Sequence, residues 1–199
     1  MKQLFIGHLL AQTGYRIGTL CSLDYVANSL KSEMFKEDGE WIVSVPREKF
    51  KNGSTATRFR REAVVRRKLT DWHGSYRIFE LYLNQIRPQL LEGQTSDALL
   101  VGSSDKPRYS GPRLQSVGYD LTDKLFGPLA GDYQVEGIDR FSLHGFRDIL
   151  ATAILKSTGC HQLAADAILD DPKTVQRHYA IWLGSERNGR LEDAFRSAA

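Results

Sequence analysis

Five residues of this 199-residue chain have types suited to chemistry on an anion: Arg16, Lys51, His144, Arg147 and Tyr179. The tightest grouping is His144 and Arg147, at i and i+3 in SLHGFRDILATAILKSTG. On a helix that spacing projects from one face, so the two side chains can reach one small anion together. Tyr179 follows the arginine by 32 residues, in DDPKTVQRHYA. Arg16 stands in TGYRIGTLCSL just past the Thr13-Gly14 break, where it reads equally well as an exposed helix-start residue. Lys51 lies in VPREKFKNG beside Asn52-Gly53, the strongest short hairpin signal, and Lys49 is near enough to exchange roles with it. Most hairpin lysines are only solvated, so this one acquires a role through the others.

A second feature is TRFRREAVVRRKL, which packs Arg58, Arg60, Arg61, Arg66, Arg67 and Lys68 into eleven residues. Such a cluster repels itself unless anions approach, and a nucleic-acid backbone supplies them at regular spacing; a solvated charged face is the alternative. The five arginines are the candidate DNA contacts. Trp72 and Tyr76 either stack on sugars or cover apolar surface, and core packing is the favoured reading. His178, adjacent to Tyr179, diverges from it by about 100 degrees on a helix, which favours packing or solvent. His8, His73 and His161 lack ligand spacing, and Cys21 and Cys160 form no CxxC, so neither a metal site nor a disulfide framework is indicated.

The net charge of +3 permits an anionic partner, and 41% hydrophobic residues suffice for a sizeable core. Apolar runs are short and no signal-peptide pattern opens the chain, which predicts a soluble protein of a reducing cytosol, without membrane spans. The elements that must position the five residues follow from local signals. Two short helices flank Gly14, and Tyr25–Ala27 and Trp41–Pro46 are expected strands of a small antiparallel sheet. A packing helix over 75–92 ends at Gly93, a Ser/Gly/Pro-rich connection covers 94–112, and another helix begins near Pro112. Three helices follow. The first is capped by Ser142, turns Phe146, Ile149, Leu150, Ala153 and Ile154 inward, and ends at Gly159. The second runs roughly from His161 to Leu169. The third opens with Asp171 as N-cap and Pro172 at its first position, carrying Tyr179 two turns in. A short amphipathic helix at about 187–199 is expected to dock on this protein or on a neighbour. The predicted class is mainly α with a small antiparallel β-sheet (α+β), as one domain over 1–199.

In this order the four segments resemble the catalytic domain of tyrosine recombinases, the phage-integrase family. TGYRIGTLCSL is similar to the family's first arginine box, VPREKFKNG to its lysine hairpin, SLHGFRDILATAILKSTG to its His-x-x-Arg box and DDPKTVQRHYA to its tyrosine box. The resemblance spans about residues 10 to 183. It implies DNA cutting and rejoining through a 3′-phosphotyrosyl intermediate on Tyr179, with Arg16 and Arg147 on the phosphate, His144 taking the tyrosine proton and Lys51 protonating the leaving oxygen. It also implies a tetramer on two double-stranded DNA sites in the cytoplasm, nucleoid-associated when bound. Two arginines can clamp the charge that grows on non-bridging oxygens, so this chemistry needs no cofactor. The family carries an N-terminal helical DNA clamp before the first box, where this chain has about ten residues, so that clamp is expected to be absent.

Two positions depart from the pattern. Thr19 stands where an acidic residue usually follows the first arginine, and nine residues before the tyrosine, where the family usually has His or Trp within Leu-Gly-His, Ile168-Leu169-Asp170 places Asp170, or Leu169 if the match slips by one residue. A carboxylate beside the scissile phosphate costs stabilisation unless it bonds an arginine or His144. Asp170 is therefore expected to replace the acid missing at Thr19 by orienting the site, and Asp170→His to lower activity. The competing readings are a DNA-binding protein of the same fold with an impaired site, and a type IB topoisomerase, against which the His-x-x-Arg box argues.

Overall fold

A computed structural model describes residues 1–27, 29, 31–51, 63–103, 106–127, 130–131 and 140–179. The described residues are mostly helical, with a small antiparallel sheet, as the sequence predicts. They fall into two compact units, 1–146 and 147–199. Arg58, Arg60, Arg61, the Asn52-Gly53 turn and the 187–199 segment lie outside the described residues.

The first unit opens with α1 (Lys2–Thr13) and α2 (Ile17–Ser22). Gly14 breaks them apart: it takes φ 59°, and its N–H closes on the Leu10 carbonyl. That left-handed cap is open to glycine without the Cβ penalty. Next come β1 (Met34–Glu37) and β2 (Glu40–Pro46), a turn of 3-10 helix at Arg47–Lys49, and β3 (Val64–Lys68). The sheet order is β1-β2-β3, antiparallel throughout, with Glu37 opposite Glu40 and Pro46 opposite Val64. The expected strand at Tyr25–Ala27 does not form; a single bridge joins Asp24 to Ala98 instead. The first strand is MFKE, joined to β2 by Asp38-Gly39 at φ 49° and 83°. Both positive, these angles belong to the two-residue hairpin turn that Asp-Gly favours, a local signal for β1 that hydrophobic alternation does not give.

Trp41, Val43, Val45 and Val65 are buried in the sheet. In α1, Phe5 stacks on Tyr82 with ring centroids 4.1 Å apart and meets Phe79 edge-on. The packing helix expected over 75–92 is interrupted: α3 (Ser75–Leu81) passes through a π-helical turn at Tyr82–Ile86 into α4 (Arg87–Leu91). The cause is Pro88, which has no N–H to give the preceding turn and whose ring crowds the carbonyl four residues back. Trp72 is 50% exposed, so it does not join the core as expected; Tyr76 is half-buried and donates its hydroxyl to the Leu69 carbonyl at 2.6 Å. Strands β4 (Val101–Ser103) and β5 (Lys106–Arg108) pair in the 94–112 connection, and α5 (Gly111–Phe126) follows with Pro112 in its first turn.

The second unit contains most of α6 (Leu143–Thr158), then α7 (His161–Ile168) and α8 (Pro172–Tyr179). Ala151, Leu155, Ala164, Ala165, Ile168 and Val175 form its core. The buried stripe of α6 is Leu143, Arg147, Ala151 and Leu155, flanked by Leu150 and Ile154, whereas Ile149 is 54% exposed. The expected inward face is thus rotated, because a buried arginine occupies a position that periodicity counts as polar.

Candidate functional site

Arg16 is the residue just before α2, with φ −68° and ψ 151°, and its carbonyl accepts the first helical bond from Leu20 at 3.0 Å. The turn between Gly14 and α2 fixes where its side chain begins. Thr19, one turn later, is buried and donates its hydroxyl to the Lys49 carbonyl at 3.1 Å. That bond ties the arginine helix to the turn that leads to Lys51.

Lys49 itself is held tightly. Its ammonium donates to the Ser22 carbonyl at 2.6 Å, to Asp24 at 2.6 Å and to Glu33 at 2.9 Å. An ammonium has three N–H donors, and each of these has an acceptor. Asp24 also pairs with Arg108, whose guanidinium bonds the Cys21 and Leu23 carbonyls at 3.0 and 3.2 Å. Lys51, two residues on, is exposed. Of the two lysines, Lys49 is the one bound to acids of the fold, and Lys51 is exposed.

Burial acts to raise the Asp24 carboxyl, but bonds and charge from Lys49 and Arg108 outweigh it and hold the group below its ordinary value. A lowered carboxyl stabilises the fold above its unfolded value of about 3.9 and loses that contribution as pH falls through the lower folded value. Asp24→Asn is expected to reduce the urea midpoint near neutral pH, and the gap from wild type to close progressively below about pH 4. An equal gap at pH 3 and pH 7 would contradict the pairing.

Of the basic cluster, the described arginines lie on β3. Arg66 is exposed and pairs with Glu37 at 2.6 Å. Arg67 turns inward: it donates to the Thr13 carbonyl at 2.6 Å and covers the Tyr15 ring at 5.8 Å. A cation on the last carbonyls of α1 satisfies groups that have no partner inside the helix.

His144 is exposed, in the first turn of α6. The start of that helix is held against α5. Thr122 accepts from the Phe141 N–H at 3.1 Å and donates to its carbonyl at 2.8 Å, and Leu143 fills the space beside Gly118. A Cβ on Gly118 would lie 2.3 Å from Leu143, so only glycine lets the two segments approach this closely.

Arg147, one turn after His144, is 2% exposed. Its guanidinium donates to the Ile168 carbonyl and, at 2.7 Å, to Asp170. Ile168 is the last residue of α7, so the arginine caps that helix as well as pairing with the acid. The second Asp170 oxygen accepts the Asp171 N–H at 2.9 Å, and Asp171 caps α8 by accepting from Lys173 at 2.8 Å, as its sequence predicts. Asp170 thus bonds an arginine, the condition under which a carboxylate there is tolerable. Its partner is Arg147. Thr19 binds the Lys49 carbonyl instead. Tyr179 is the last residue of α8.

Between α7 and α8, Leu169 takes φ 52° and the Asp170 N–H reaches back to the Ala165 carbonyl at 2.9 Å. This is the left-handed helix cap, for which glycine is preferred, and the family pattern has glycine at this position. Leu169→Gly is expected to raise stability by up to about 1 kcal/mol, relief of the left-handed strain exceeding the added chain entropy. A fall in melting temperature would show that the leucine side chain contributes more than the strain costs.

Asp24 and Glu33 as partners of Lys49, and Arg108 as the second partner of Asp24, are not legible in the sequence. Their separations of 25 and 16 residues from Lys49, and 84 between Asp24 and Arg108, leave no local signal.

No protein-family model matches the chain. No curated protein matches it either. Among solved structures, it is similar to the XerH site-specific recombinase bound to palindromic difH substrate in a post-cleavage complex, at 14% identity and a TM-score of 0.61, over 96% of this chain and 44% of that one. It is similar to the XerH pre-cleavage complex at 13% identity and TM-score 0.58, over 88% of this chain and 42% of that one. The XerA recombinase gives 19% identity and TM-score 0.55, over 88% of this chain and 50% of that one. The chain thus spans half or less of the length of these proteins. It has the tyrosine recombinase catalytic-domain fold.

Proposed function

We propose that the chain cuts and rejoins double-stranded DNA as a tyrosine-type strand transferase, in the manner of a site-specific recombinase or integrase. The observation that carries this reading is the state of Arg147: a buried guanidinium fixed by Asp170 and the Ile168 carbonyl, one turn past an exposed histidine, in a chain of recombinase fold. A cation oriented before substrate arrives costs no reorganisation when charge develops on the phosphate.

In this reading the Tyr179 oxygen attacks the scissile phosphorus and its proton passes to His144. The phosphorus–tyrosine bond forms as the bond to the 5′ oxygen breaks, and Lys51 gives that oxygen its proton. A free phenol, with a pKa of about 10, is too weak a nucleophile at neutral pH without such help. Arg16 and Arg147 bind the non-bridging oxygens, each worth about 3–4 kcal/mol if its loss resembles that of an oxyanion donor. Arg58, Arg60, Arg61 and Arg66 take the flanking backbone, and a tetramer holds two DNA sites.

The test is covalent capture. Wild type and Tyr179→Phe are incubated with nicked duplexes of randomised sequence, and DNA that survives denaturation on the protein is recovered. Wild type is expected to yield an adduct and Tyr179→Phe none; equal yields, or none from either, would refute the reading. A second reading rests on the neutralisation of Arg147 by Asp170: a protein of this fold that binds DNA without cleaving it. It predicts salt-dependent binding and no adduct.

A further inference from the structure

We propose that Lys49 is a positioning residue, whose partly buried ion pairs with Asp24 and Glu33 fix the place from which Lys51 delivers its proton. This rests on the strand-transferase reading above. It adds a group that touches neither DNA nor tyrosine.

Lys51 lies two residues past Lys49, and everything between is anchored. The Lys49 side chain, 21% exposed, ends on three acceptors at the far end of α2 and the start of the sheet. Its carbonyl accepts from Thr19. Phe50 is buried, packs edge-on to Tyr15 at 5.4 Å and donates its N–H to the Arg47 carbonyl at 3.1 Å. With consecutive Cα atoms 3.8 Å apart, the Lys51 Cα cannot lie more than about 8 Å from the Lys49 Cα. The same anchor holds α2, which starts directly after Arg16. Lys49 therefore couples the arginine that binds the phosphate to the lysine that protonates the departing oxygen. The acid expected at Thr19 is not needed for this, because the helix is tied to the Arg47–Lys49 turn through a backbone carbonyl. Glu33, whose side chain is 9% exposed, also accepts the Asp24 N–H at 2.7 Å, so a bond independent of the lysine joins the two acids.

The test separates proton delivery from folding. The duplex recovered by covalent capture is made with ordinary oxygen or with sulfur at the scissile 5′ bridging position. A thiol leaving group has a pKa of about 8.5 and departs without a proton, unlike an alkoxide. Lys49→Met and the milder Glu33→Gln are expected to form adduct at least tenfold more slowly than wild type on oxygen, and within about threefold of it on sulfur. Lys51→Ala, the reference, should give the same pattern. In parallel, hydrogen exchange at the Phe50 amide is expected to accelerate at least tenfold in Lys49→Met, with the β2 amides of Val43 and Val45 unchanged. Equal slowing on both substrates, wild-type rates on oxygen, or unaltered Phe50 protection would each overturn the proposal. Failure of wild type to form adduct on either substrate would refute the strand-transferase reading, and the exchange result alone would then decide whether Lys49 anchors this segment.

Discussion

An Arg147→Met protein is expected to be less stable than wild type by about 3–5 kcal/mol, the range for breaking a buried ion pair by removing one partner. Arg147 is among the largest fully buried side chains, and methionine would leave little void in its place. The loss comes from what remains: the Ile168 carbonyl without its guanidinium donor, and a buried Asp170 carboxylate without its cation. The double variant Arg147→Met, Asp170→Leu should recover much of the loss, because no charge is then buried unpaired. Urea unfolding of the two variants and wild type measures both steps. If Arg147→Met unfolds no earlier than wild type, the pair does not hold the corner between α7 and α8.

Asp170→His is expected to slow adduct formation at least tenfold, although it restores the residue that the family pattern has at this position. Two effects of the carboxylate oppose each other. Beside a phosphate it repels: at about 6 Å and an effective dielectric of about 20, two like charges cost about 3 kcal/mol. Against that, taking the carboxylate away leaves a buried guanidinium uncompensated, which costs about 3–5 kcal/mol or drives the arginine out of its place. The second effect is the larger, because Arg147 is buried where water cannot replace the lost partner. Single-turnover adduct formation with the captured duplex measures the balance. A clear rise in rate would mean that the Asp170 charge opposes the reaction and that orienting Arg147 is not its role.

These two residues mark the border between what is legible in the chain and what is not. The His-x-x-Arg spacing, the Gly14 break and the Asp171-Pro172 helix start are all readable, because each depends on neighbours within one turn. The sheet is legible in β2 and missed in β1, where the informative residues are Asp38-Gly39 and not the strand itself. Residue type alone places Trp72 in the core, and type does not decide exposure for a large amphipathic ring.

Local signals in the chain carry the positions of most helices, the breaks at Gly14 and Asp171-Pro172 and the residue types that can act on a phosphate, because helix geometry and capping depend on near neighbours. Only the tertiary structure decided that Arg147 is a core residue and that Lys49 is an anchor. Arg147 is a buried charge and Lys49 a partly buried one, each held by partners 16 to 25 residues away, and no local pattern encodes such a pairing. The rotated face of α6 has the same cause. Hydrophobic periodicity counts an arginine as solvent-facing, whereas here Asp170 and a helix-end carbonyl compensate its charge and let the core close around it.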